Sequence, residues 1–552
     1  MQGLPYTNSV KVTPLFFRSI LPPFKLPILY FTISILMFSF SKAVSQGVRV
    51  TIQVKSANDQ YHVIPLKEKG VVVFYENKAI SPGARTERWT FTKFDTTFTE
   101  EWTTEYPLLN NLNFINKFSD ELFVYILFSK NKEFQIVKLD QETGEIFINK
   151  GRLPKENVEI NHFSILGENA FMGGTIAPHD ATLFYRTCLG FACFPLLFIP
   201  NFLPEKTVYI GHSSLQTKLN KQILLDLKGK SEVVNFNNDT LNGRLNAMVK
   251  NQTGKKSDLF IQELKYSGGK AQATSIKTFT DQYQLIDGKI NCVDVNTKFV
   301  IGSYASKGFT GAQGLYLSKL ENGKQEFINY QSFSKFKNFF DYLPKNEQEK
   351  LQKQIERKKS RGKDLDLSYQ ILVHKPILSD TNEFIIVAEA YFPQYHTEFR
   401  TSFYYGRPIE TAVDVFDGWR YSHAIIAGMD KKGNLLWDNS IVIQDILTYA
   451  LNEKIKILYN KNQYIAAYSQ GGQIQYKMLS RDTAKTEKLR TFVEIDTDYE
   501  RIKEQYTSDV EYWYGNFFIA YGAQKVKNLN TDYTKSTGTI IYFNKIELRQ
   551  NQ

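Results

Sequence analysis

Short apolar runs, polar at their ends, recur along the chain. Residues 71–75 read Val-Val-Val-Phe-Tyr, 122–126 Leu-Phe-Val-Tyr-Ile, and 298–302 Lys-Phe-Val-Ile-Gly. Residues 383–388, 463–468 and 516–521 continue the series. Each run is too short for a helix and rich in β-branched and aromatic residues, so each predicts a strand. Consecutive apolar positions predict strands covered on both faces. A second run usually follows across a polar turn, as at 134–139, 259–264, 314–320, 423–429 and 539–543.

Three of the turns share a spacing. Asp95, Asp140 and Asp430 are each followed seven residues later by a large ring, Trp102, Phe147 and Trp437. Two carry a turn glycine, Gly144 and Gly433. The aspartates read as turn formers that bond their own backbone. Seven or eight strand pairs fit between about residue 70 and the C-terminus, with starts about 50 residues apart where nothing intervenes. Repeated hairpins at that spacing predict an all-β fold, a β-propeller of seven or eight blades. Longer gaps near 175–245 and 390–460 hide a further blade or carry long loops.

Two segments break the pattern. Leu189 to Leu203 is strongly apolar but holds Pro195 and Pro200, and is too short to span a membrane. It reads as a buried loop or edge strand, with a lipid-touching or partner-binding loop as the alternative. The second, 332–364, is a small helical insertion. Phe333, Phe336, Phe339, Phe340 and Leu343 recur at helical spacing. Pro344 then suits the first turn of a second helix, Asn346 to Arg361, with Glu349 and Lys353 placed i,i+4. Only Leu351 and Ile355 give that helix an apolar row, so it is expected to project or lie lightly on the surface.

The N-terminus changes the picture. Lys11, Arg18 and Lys25 precede an apolar stretch from Leu26 to Phe40, followed by Ala43-Val44-Ser45-Gln46. That order predicts a signal peptide over 1–45 and a β-propeller domain over 46–552, interrupted by 332–364. The competing reading is an uncleaved anchor. Cleavage after Ser45 leaves 507 of the 552 residues, and removing the leader's four basic residues from the net +11 leaves +7. That modest charge gives no reason to expect nucleic acid as a partner.

Most of the surplus sits on the insertion. Between Lys345 and Lys363 eight basic residues face three glutamates. Lys353, Arg357, Lys358, Lys359 and Arg361 are therefore candidates for contact with an anionic membrane surface or acidic partner; a solvated helix face is the plainer reading. Three cysteines, Cys188, Cys193 and Cys292, are too few to staple the fold. Cys188 and Cys193 could pair; buried thiols are the other reading.

Seven histidines are scattered without a metal-binding spacing, and no nucleophile elbow, phosphate loop or dinucleotide fingerprint is present. No metal, cofactor or catalytic residue is assigned. The densest candidate is Phe399 to His423, read as a long loop between two strands. Tyr404, Tyr405, Arg407, Asp417, Trp419 and Tyr421 are the candidate ligand contacts, rings for stacking and charges for hydroxyls or carboxylates. The rings could instead pack between blades. Glu410 with Asp414 or Asp417 would be a two-carboxylate pair if the protein hydrolysed polysaccharide.

The strand–Asp-turn–strand–Trp unit Met429 to Trp437 resembles blades of the quinoprotein and WD40-type propellers. The tryptophan-docking repeat of the quinoprotein enzymes is missing, so their cofactor is not implied. As a whole, the leader and the Asn/Lys/Phe/Tyr-rich composition are similar to the large exported β-propeller-like proteins of unknown function in Bacteroidota. That resemblance implies the periplasm, the outer membrane or the exterior, and implies no reaction. The expectation is a binding or scaffold protein that recognises a protein or glycan of the cell envelope; the alternative is a propeller glycoside hydrolase.

Overall fold

The computed structural model describes residues 46–56, 60–77, 86–109, 112–154, 158–176, 206–217, 219–254, 256–362, 365, 367–404, 407–460, 463–479, 481, 488–493, 500–528 and 537–548. The leader expected over 1–45, Cys188, Cys193 and the apolar segment 189–203 lie outside them.

The described strands form eight antiparallel sheets that follow one another in chain order. The first is built from Tyr61–Pro65, Val71–Asn77, Thr86–Phe94 and Glu100–Leu109. The second has Asn113–Ser119, Phe123–Lys130, Glu133–Asp140 and Ile146–Arg152. The third and fourth begin with Val158–Leu166 and Lys230–Asp239, and the fifth is built on Thr297–Ser306. The sixth is built on Phe384–Tyr404 and Arg407–Met429, and the seventh begins with Lys456–Asn460. The eighth takes Glu500–Tyr514, Phe517–Asn528 and Thr537–Glu547 from the end of the chain and Gln46–Val54 from its other side.

Consecutive apolar residues have a direct cause. In Val71–Asn77, Val72 and Phe74 join the core shared with the second sheet, while Val71 and Val73 join the core shared with the eighth. Phe384–Tyr404 repeats this: Phe384 and Ile386 pack toward the fifth sheet, Ile385 and Val387 toward the seventh. Alternate side chains point to opposite faces, so a strand between two sheets must be apolar at every position. Each such Val, Ile or Phe contributes about 1.5–3 kcal/mol of burial.

The aspartate turns are as expected. Asp95 Oδ1 accepts from the Thr97 and Thr99 amides at 2.7 and 2.8 Å, Asp140 Oδ1 from Glu142 and Thr143, and Asp430 Oδ1 from Lys432 and Asn434. Asp120 and Asp294 do the same without the aromatic spacing. The turns also join sheets. Trp102 Nε1 donates to Gln141 O at 3.1 Å, and Gln331 Nε2 donates to Gly433 O at 2.7 Å. Gly144 sits at φ +72°, where a Cβ would come within 2.8 Å of the Trp102 ring. Trp437 packs on Tyr464 of the seventh sheet, whereas Phe147 is 46% exposed and closes nothing.

Two expectations for the insertion need correction. The phenylalanine series is no α-helix; a 3-10 turn at Phe333–Lys335 leads into irregular turns. The reason is tertiary: Asp438 accepts the Lys337 and Asn338 amides at 3.0 and 2.6 Å, so these donors are not available to a helix, and all four phenylalanines enter one core. The one α-helix among the described residues, α1, spans Lys345–Lys359, and it docks through buried Ile355 with Leu351 beside it.

Candidate functional site

The segment 399–423 is not a loop. Phe384–Tyr404 and Arg407–Met429 form one hairpin whose inner halves belong to the sixth sheet. Its outer halves, from Tyr391↔Tyr421 to Tyr404↔Arg407, pair with each other, and only Leu447–Thr448 adds a short strand against Trp419 and Arg420. Composition suggested a loop because the outer half has no buried face, and its side chains are polar or exposed on both sides. The gap at 390–460 is thus largely a projecting arm. Bulges lie between Ala390/Tyr391 and Gln394/Tyr395. Gly418, at φ +138°, lets the Thr448 carbonyl approach; a Cβ there would sit 2.9 Å from it.

An aromatic cluster occupies the base of the arm. Trp419 meets Tyr391 edge-on at 5.4 Å and Phe416 at 5.2 Å; Phe416 reaches Tyr395 at 5.6 Å and Tyr449 at 6.5 Å. Tyr395 and Tyr449 are 56% and 77% exposed. Asp417 bonds His396 Nδ1, and Glu398 lies 3.2 Å from the other ring nitrogen. These bonds, Asp417's first, raise the His396 pKa above its ordinary value.

The sequence candidates divide accordingly. Trp419 and Asp417 lie on the arm's base. Tyr421 is buried, and its hydroxyl donates to Asn452 O at 2.6 Å, so it is part of the frame and not a ligand contact. The backbones of Tyr404 and Arg407 pair near the arm's tip, and Tyr405 lies outside the described residues. Glu410 and Asp414 are exposed on one strand four positions apart, roughly 13 Å along it, beyond the separation of glycosidase carboxylate pairs. Lys353, Arg357, Lys359 and Arg361 are exposed and Lys358 half-buried.

Sequence reasoning missed a cavity of about 480 Å³ beside the arm. Tyr61 and His62 of the first sheet, Asp445–Thr448 leaving the sixth, Ser469–Gly471 of the seventh, and Tyr506–Asp509 with Tyr521 of the eighth line it. Behind them Lys454 lies 3.9 Å from Asp509, and Lys456 lies 3.1 Å from Glu511. Burial disfavours the Lys456 charge, but Glu511, Asp509 and Glu453 outweigh it and raise its pKa. Burial raises Asp509 against the pull of Lys454 and Lys456. Lys117, donating to Val63 O, is lowered by burial. His62 stacks on Phe114 at 3.8 Å, its Nε2 has no hydrogen-bond partner, and burial with nearby Lys117 lowers it to about 3. The Tyr61 hydroxyl bonds Thr507 Oγ1, and burial raises it to about 12. The one available sequence signal was Thr507, Asp509 and Glu511 alternating along an otherwise strand-like run. Among the described residues no group of three His, Cys, Asp or Glu side chains is placed to hold a metal.

No family model and no curated protein matches the chain. Among solved structures, polysaccharide lyase Uly1 aligns at TM-score 0.39 and 7% identity, covering 90% of this chain and all of that one. A Mycobacterium tuberculosis puromycin-hydrolyzing peptidase aligns at 0.37 and 8%, covering 87% of this chain and 61% of the peptidase. Synechocystis apocarotenoid oxygenase aligns at 0.28 and 9%, covering 51% and 65%. Likeness this distant assigns neither activity nor ligand.

Proposed function

We propose that the eight sheets are blades of a β-propeller that is exported to the cell envelope or secreted, and that binds a protein or glycan there through the arm and the adjoining cavity. Sheet-to-sheet packing in chain order, returning from the eighth sheet to the first, supports the propeller reading. One observation carries the site. The segment Asp445–Tyr449 lines the cavity at one end, pairs with Trp419 and Arg420 in the middle, and brings Tyr449 to Phe416 at the other. Cavity and aromatic cluster are therefore one continuous surface, the arrangement expected of a recognition site.

The test is retention of the full chain on immobilised envelope proteins and, separately, envelope glycans, beside a Trp419→Ala/Tyr449→Ala variant. The chain is expected to be retained on one matrix and the variant released. Equal retention of both forms would reject the site, and retention of neither would reject the binding role.

A further inference from the structure

We infer that the cavity is a subsite for an uncharged, hydroxyl-rich ligand, a neutral saccharide chain, which the aromatic base of the arm extends. This rests on the binding reading above and names its ligand. Hydroxyls dominate the wall: Tyr61, Ser469, Tyr506, Thr507 and Ser508 all face it. A hydroxyl both donates and accepts, as sugar hydroxyls do, so such a wall serves either direction of bond. His62 adds a neutral ring nitrogen without a partner, beside the same wall.

Charge selects against an acidic ligand. Lys454 is the one cation among the lining residues, and Asp509 lies 3.9 Å away. Asp445 is the second lining carboxylate, opposite Gln470 and Arg420. A polyanion would find no unmatched positive charge in this lining and would meet two carboxylates. A peptide partner is also a poorer fit, because peptide recognition needs apolar anchor pockets or a free strand edge. The lining's aliphatic side chains are Ile446 and Leu447 alone. The exposed faces of Tyr449 and Tyr395 lie just beyond, where flat pyranose faces can stack. The cavity's 480 Å³ falls within the usual range of small-molecule sites, about 300–1,000 Å³.

Affinity electrophoresis of the full chain through neutral polymers (xyloglucan, galactomannan, laminarin) and acidic ones (alginate, polygalacturonate), with a peptide array in parallel, tests this. At least one neutral polymer is expected to retard the protein. Tyr506→Ala, an exposed rim change, and the smaller Ser508→Ala are each expected to weaken that retardation, the former about tenfold. Tyr512→Ala, outside the lining, is expected to change nothing. Near-ultraviolet circular dichroism confirms that each variant is folded. Retardation by acidic polymers alone, or binding to peptides alone, overturns the ligand class while leaving the binding role standing. Neutral binding that survives both rim changes overturns the cavity assignment. Binding to none of the three ligand kinds overturns this inference and the binding role together.

Discussion

Asp430 shows how much one side chain decides locally. Its Oδ1 accepts the Lys432 and Asn434 amides, and its Oδ2 accepts Asn434 Nδ2 at 2.8 Å. Partial burial pulls the carboxyl up, yet these bonds outweigh it and hold the pKa below the ordinary value. A depressed folded-state pKa contributes stability that is fully present above the unfolded value, near about 3.9, and is lost as pH falls through the folded value. Asp430→Ala should therefore cost about 1 kcal/mol at pH 7 by denaturant titration, and the gap to the parent should close near pH 3. A gap that stays constant with pH would show that the carboxylate is not the active group. These turns were legible in the sequence because every partner lies within four residues. Tyr421 was not legible, because the carbonyl that fixes it belongs to Asn452, thirty-one residues on.

At the scale of elements, patterning identifies what has a buried face and misreads what has none. Runs such as 383–388 sit between two cores and were readable as strands. The outer arm lacks that signal, so its residues looked like a loop, and the phenylalanine series looked helical because spacing does not reveal the Asp438 carboxylate waiting for its amides. The arm's independence is testable. Replacing residues 395–416 with a two-residue turn should leave the thermal midpoint within about 3 °C by calorimetry, since the excised pairs bond only each other. A fall beyond about 10 °C would make the arm a structural element. Helix α1 allows a parallel test. Ile355 anchors it, and Lys353, Arg357 and Lys359 stand exposed. The full chain is expected to float with phosphatidylglycerol vesicles at low salt and a triple Glu replacement at those positions to stay behind. Equal flotation would leave the row as a solvated face.

Across the whole molecule the decisive contact joins residues nearly five hundred positions apart. Gln46–Val54 pairs with Thr537–Glu547 in the register Arg49↔Asn544, Val50↔Phe543 and Ile52↔Ile541, and Arg49 Nη2 donates to Gln524 Oε1 at 2.9 Å. Without it the strand carrying buried Ile541 and Phe543 would present an unpaired edge, a template for association with other chains. This constrains export as well. A leader cut after Ser45 keeps every pair of the ladder, whereas a cut after Arg49 removes two of them, Gln46↔Ile546 and Arg49↔Asn544. The mature protein is thus expected to begin at Gln46, read by mass spectrometry of the exported form. A form lacking residues 46–54 should melt several degrees lower and associate on concentration, followed by calorimetry and light scattering. If that shortened form melts with the parent and stays monomeric, the pairing of the two ends does not hold the eighth sheet together, and the stability of the series must come from the cores between sheets alone.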